Sequence, residues 1–410
     1  MFLSLHIFAG SCPEITPGAA WGIIFLVFQK PSYIILLFRG NQGEIMPRLF
    51  LILFSSITLL LSTPVSAEVD QKAEVNRLYT EYKTQLRAKN IEEALKLAEN
   101  MYALTPDAYG KKSKSHATAA FNLAQMYDLM KRSMVSSQYY QEHLDILDDL
   151  KVARDEKYLF KLGLLSDAYT NAGKYIEAVK PRRRALKIVR ELKASDAVLA
   201  EFELAMGSAY YLSYGNFKKA IRHINKAADL FSKTLGEHHF KTGGAYFWQA
   251  KYYLGLRKHS KAAKKFETVL DIYLNELPAG DERILQTHAF LVNVYEKMGE
   301  KEKSNKHCIA VAVERPTDFD REIDPLYKVS PTYPRSALLS GKEGHIIAEF
   351  TVDELGQVKD IKTLEGKNVK AFEKNAHKAL SQMRYAPSIK DGKRIKTEGV
   401  LHRVTFEMLK

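Results

Sequence analysis

Cysteine is almost missing from this 410-residue chain, which has only Cys12 and Cys308. Cys12 falls in a segment that, as argued below, precedes the true start, so Cys308 stands alone and no internal disulfide can form in the chain that follows. No cysteine comes directly after the small residues Val65-Ser66-Ala67, which argues against a lipid anchor. The 13 prolines form no proline-rich tract, so no long stiff spacer separates one part from another. Zinc-type spacing, a phosphate-cradling glycine loop and a nucleophile elbow are also missing. His238-His239 is a weak metal candidate, because adjacent histidines point apart and no third ligand is near in sequence; a loop or helix-cap role is expected. Asp353-Glu354 reads as a hairpin turn rather than an acid/base pair. No enzyme, cofactor or metal is therefore expected.

Acidic residues are the minority, and the formal charge is +13. The lysines and arginines are spread along helical stretches opposite apolar faces, with no nucleic-acid motif, so the excess reads as a solvated basic surface and no nucleic acid is expected as partner. With 46% hydrophobic residues, the chain can bury a sizeable core, and its length suggests two or three domains.

From Met46 the chain reads MPRLFLILFSSITLLLSTPVSA: Arg48 is a charged start, Leu49 to Leu61 an apolar core and Val65-Ser66-Ala67 a cleavage site. Thirteen apolar residues cover roughly 20 Å of a hydrocarbon interior about 30 Å thick. A signal peptide over 46–67, cleaved after Ala67, is favoured over a retained anchor, and the periplasm is the expected location. Residues 1–45 do not fit, because a signal core should not begin so far into a protein. Their apolar run is split by Gln29-Lys30-Pro31, and a mid-span lysine costs about 3 kcal/mol. Residues 1–45 are read as a non-native extension, with Met46 as the true start.

The middle of the chain is periodic. Tyr127, Tyr169, Tyr211, Tyr253 and Tyr295 recur every 42 residues, each followed by a small residue, in order Ser136, Ala178, Ala220, Ala262 and Ser304. Ala94 extends that series to six units; Ala124, Ser166, Ser208, Ala250 and Val292 precede the tyrosines, and Gly173, Gly215 and Gly299 fall where a helix must stop. Small residues let antiparallel helices approach closely, and glycine takes the left-handed turn. No such hairpin buries its apolar face alone, so the units stack into a solenoid. Residues 162–179 and 204–221 resemble the tetratricopeptide repeat (TPR) in its longer, kinesin-light-chain type; HEAT-like repeats share the length but not the tyrosine, glycine and alanine series. An all-α solenoid of about six hairpins is expected over 75–314. The resemblance implies a concave groove for peptides or proteins, into which Gln125, Asp167, Lys251 and Asn293 would face.

The period fails at 315–330, where Pro316 and Pro325 mark a linker. Beyond it Ile346, Ala348, Phe350 and Val352 alternate as a strand, with a turn at Asp353 to Gly356 and a second strand over 357–364. Val369, Phe372, Ala376, Ala379, Leu380 and Met383 recur at threes and fours, predicting a covering helix. Val400, His402, Val404, Phe406 and Met408 alternate as a last strand. The fold class expected is α+β overall: the solenoid, then a small α+β domain.

Tyr333-Pro334, Gly341, Gly344, Phe350, Val352, Gly356, the helix with Phe372, and Arg384-Tyr385 with Pro387 closely resemble the C-terminal domain of the TonB family, over 324–410. That resemblance implies a three-stranded sheet with two helices, and outer-membrane receptors as partners, whose extended peptide adds to the sheet edge beside the last strand. The residues implied are Val400, Leu401, His402, Arg403, Val404, Thr405 and Phe406, with Val329, Ser330 and Pro331 just before the Tyr333-Pro334 pair and Tyr333 itself. Ser330 stands where the best-studied member has glutamine, and Met383 replaces an aromatic residue usual in the family. TonB transducers combine an uncleaved membrane helix with a long proline-rich spacer, whereas this chain is read as carrying a cleavable signal and has no proline-rich spacer. A soluble periplasmic adaptor is the literal reading; an anchored transducer gripping inner-membrane proton-motor proteins, or an envelope scaffold unrelated to uptake, are the alternatives.

Overall fold

The computed structural model describes residues 63–213, 216–314 and 325–408. The expected extension, the apolar signal core, Gly215 and linker residues 315–324 lie outside the described residues.

Among the described residues twelve helices precede the linker, in six pairs: α1 (Thr63–Arg87) with α2 (Ile91–Tyr109), α3 (Lys114–Leu129) with α4 (Ser133–Asp149), α5 (Glu156–Asn171) with α6 (Tyr175–Glu191), α7 (Asp196–Leu212) with α8 (Phe217–Leu235), α9 (Phe240–Gly255) with α10 (His259–Glu276), and α11 (Glu282–Met298) with α12 (Lys301–Glu314). Each helix from α2 onward packs against the next in sequence, and α1 joins through Leu78 and Tyr82, giving a TPR-like solenoid.

The repeat residues act as their chemistry dictates. Ser166 Oγ donates to the Ala178 carbonyl at 2.9 Å, tying together two of the expected small positions. A Cβ on Gly207 would come within 2.7 Å of Ile224 Cγ1, so α7 and α8 touch closely there. The tyrosines reach backward as well as inward: Tyr127 Oη donates to Glu99 on α2 at 2.7 Å, and Tyr295 Oη donates to Glu267 on α10, in both cases 28 residues earlier. The left-handed turn recurs at Lys89, Lys131, Gly173, Arg257 and Gly299, with φ between 56° and 75°. Three of these are not glycine, so the turn is set by the repeat and only partly marked by residue type.

The second region contains α13 (Arg335–Leu339), β1 (Gly344–Val352), β2 (Val358–Lys367), α14 (Val369–Leu380), β3 (Ser388–Lys390), β4 (Lys393–Ile395) and β5 (Thr397–Phe406). The main sheet is antiparallel in the order β2-β1-β5. Alternate β1 residues Ile346, Ala348, Phe350 and Val352 are buried and share one core with Phe372, Ala376 and Leu380 of α14. The Asp353 carboxylate accepts from the backbone N–H of Leu355 and Gln357, and Gly356 at φ +78° closes the turn. Two sequence boundaries shift. Helix α14 ends at Leu380, so Met383 lies beyond it while remaining buried in the same core, and β5 ends at Phe406, short of Met408. The β3–β4 hairpin escaped the sequence reading, although Asp391-Gly392, both at positive φ, is the residue pair such a two-residue turn demands.

Candidate peptide-docking sites

Strand β5 is a margin of the sheet. It pairs with β1 from Gly344↔Phe406 to Val352↔Thr397, and among the described residues no strand lies on its other side. Its side chains divide by pleat. Val404 and Phe406 point into the core at 4% and 2% exposure, whereas Leu401 is 61% exposed and Arg403 and Thr405 are open to solvent. Val404 and Phe406 can therefore meet a ligand only through main chain, while Val400 and His402 are half-buried. Tyr333 is brought to the end of β5, with its ring edge-on to both Phe372 and Phe406 and its hydroxyl donating to the Lys342 carbonyl at 2.6 Å. It works as an anchor for the strap before α13. Val329, Ser330 and Pro331 lie in that strap between Tyr327, bridged to Arg384, and Tyr333; Ser330 is exposed.

The four expected groove residues lie on first helices of their pairs: Gln125 on α3, Asp167 on α5, Lys251 on α9 and Asn293 on α11. Gln125 is half-buried. Asp167 is tied within its own pair by Arg182 Nη2 at 2.6 Å. Lys251 stands among rings from three successive first helices. Its Nζ is 4.1 Å from the ring centre of Trp248, 5.4 Å from Phe290, 5.7 Å from Tyr211 and 5.9 Å from Phe247. Burial lowers its amine to about 8. Asn293 Oδ1 is buried without a hydrogen-bond partner among the described residues. The aromatic wall was missed from sequence, yet Trp248 and Phe290 occupy one repeat position, each three residues before Lys251 or Asn293.

His239 caps α9 by accepting from the Lys241 N–H at 3.1 Å, the role expected for the His238-His239 pair.

Residues 329–408 match the family described as "Gram-negative bacterial TonB protein C-terminal". This segment is a TonB C-terminal domain. Protein TonB of Pseudomonas aeruginosa is 34% identical over 74 residues, which span 18% of this chain and 22% of that protein. This TonB domain thus accounts for about a fifth of either chain. Among solved structures, a Podosopora anserina putative kinesin light chain with TPR-like repeats has 16% identity and a TM-score of 0.43, covering 49% of this chain and 96% of that one. BtubC from P. vanneervenii has 17% identity and a TM-score of 0.42, covering 57% and 91%, and the apo form of RapI has 16% and 0.46, covering 58% and 64%. These are likenesses of the helical array. Among the described residues, no helix is long and apolar enough to cross a membrane.

Proposed function

We propose that the chain is a periplasmic docking protein of the Gram-negative envelope that supports TonB-dependent transport, its β5 edge accepting an extended peptide from an outer-membrane receptor. The single observation that supports this reading is the bare outer edge of β5 on a TonB C-terminal domain. Main-chain pairing supplies the affinity in such strand addition, and alternate side chains supply the selection. Val329, Ser330, Pro331 and Tyr333 border the incoming peptide, and the solenoid groove at Gln125, Asp167, Lys251 and Asn293 holds a second protein of the envelope.

A proline scan of β5 tests it. In an antiparallel ladder the N–H groups of successive residues point to opposite edges, so proline at Leu401, Arg403 and Thr405 and proline at Val400, His402 and Val404 should behave as two classes. One class breaks pairing with β1 and lowers stability. The other leaves stability within about 1 kcal/mol and weakens binding of receptor peptides to the whole chain. Binding indifferent to both classes would rule out strand addition at β5.

The rival reading is an anchored transducer that keeps residues 46–67. Helix α1 runs unbroken from Thr63 through Val65-Ser66-Ala67, the feature that favours it. Terminal sequencing of the exported protein decides: a chain starting at Glu68 supports the adaptor, and an intact Met46 end supports the transducer.

A further inference from the structure

The last helical pair differs from the two pairs before it at two positions of the repeat. Counting back by the 42-residue repeat, Glu296 occupies the place held by Leu254, Leu212, Thr170, Asp128 and Leu86, and Cys308 the place held by Phe266, Ile224, Arg182, Tyr140 and Ala98. Against the two units before it, a leucine has become an acid, and a phenylalanine or isoleucine has become a small thiol. Terminal repeats of a solenoid must alter such positions, because no further repeat arrives to cover them.

What meets these altered positions is the TonB domain. Arg384 is 5% exposed, and its Nε donates to Glu296 Oε1 at 2.5 Å while Nη2 donates to Asn305 Oδ1 at 2.7 Å. The backbone of Arg384 is fixed in turn: its N–H donates to the Tyr327 carbonyl, and its carbonyl accepts from Leu326 and Tyr327. Gly356, in the β1–β2 turn, brings its Cβ position to 3.4 Å from Cys308 Cβ, and α12 packs against β3. Cys308 is fully buried.

We propose that the end of the last repeat is a docking surface for the chain's own TonB domain, with Arg384 as its positioning residue, so that the domain caps the solenoid and the two move as one body. The partner this surface fits is a cationic side chain flanked by a tight glycine turn. An arginine held by a carboxylate and an amide oxygen in a nearly dry interface has direction as well as attraction, since the planar fork admits few orientations. The cap keeps the lone thiol of the region out of reach in an oxidising compartment.

Cys308 itself supplies the readout. In the full chain carrying Cys12→Ser it is the sole thiol, and its reaction with a maleimide should be at least about 100-fold slower than in the urea-unfolded protein, as for a site opened only by undocking. Arg384→Glu or Glu296→Arg alone should raise the rate at least about 10-fold, the double exchange should bring it back down, and a chain ended after Glu314 should react fastest. Asn305→Ala is a milder variant for the case in which a charge exchange unfolds the protein, and far-UV circular dichroism checks that each variant remains helical. The Cys12→Ser parent reacting as fast as the shortened chain, or helical Arg384, Glu296 and Asn305 variants all reacting at the parent's rate, would overturn the proposal. Receptor-peptide binding at β5 is measured separately, so its loss or survival does not bear on this result.

Discussion

Glu203 is a fully buried carboxylate on α7 that joins three helices: Arg190 of α6 at 2.6 Å, and His223 and Lys226 of α8 at 2.6 and 2.9 Å. Burial alone would raise its pKa, but hydrogen bonds from His223, Arg190 and Lys226 outweigh it and hold the carboxyl at about 2. A carboxyl held below its unfolded value stabilises the fold above that value, near pH 4.3, and loses the contribution as pH falls toward 2. Glu203→Gln should cost about 3–5 kcal/mol at neutral pH, because two or three cations lose their partner, and should flatten the acid limb of the stability profile measured by urea unfolding. Lys251 gives a spectroscopic counterpart. Trp248 is the sole tryptophan beyond the 1–45 extension, so its emission should titrate with a midpoint near pH 8 as the amine above it loses its proton, and Lys251→Met should abolish that step.

At the scale of the element, the left-handed turn at Lys89, Lys131, Gly173, Arg257 and Gly299 shows what was readable and what was hidden. The glycines announced the turn; the lysines and the arginine concealed it, because the helices on either side impose a conformation their residue types do not prefer. Lys89→Gly and Arg257→Gly should each stabilise the protein by about 0.5 kcal/mol, the relief of left-handed strain slightly exceeding glycine's entropy loss, and chemical denaturation would show it. The last pair has a pH device of its own. His288 and His307 face each other with Nδ1 atoms 2.8 Å apart, so one must donate and the other accept, and the two cannot both be charged. Burial lowers them to about 4 and about 3, with each other's charge adding to the effect at His307. Stability from this pair is complete above the unfolded histidine value near pH 6.5 and declines as pH falls toward 4. His288→Leu combined with His307→Leu should remove that slope, a window distinct from that of Glu203.

Across the whole molecule, periodic features were legible and singular ones were not. The 42-residue series exposed the six pairs, and strict alternation in Ile346, Ala348, Phe350 and Val352 exposed the sheet, since both follow from repeated local geometry. The β5 margin could be named through the pattern of a TonB domain, but its division into core-facing Val404 and Phe406 and open Leu401 and Arg403 needed the register with β1. Arg384 and Glu296 are 88 residues apart and belong to no common pattern, so their contact was invisible until the chain was folded. Its disruption should also be visible globally: the Arg384→Glu chain should show a larger radius of gyration in solution scattering than wild type, with unchanged helix content.

The sheet order β2-β1-β5 makes the final strand the guardian of the central one. A polypeptide broken off before Thr397 would leave β1 bare along one side, with Ile346, Ala348 and Phe350 deprived of the cover from Val404 and Phe406. Such a fragment would do worse than miss its receptor: it would offer a longer, greasier ribbon to its own copies, and its fate would be precipitation or proteolysis.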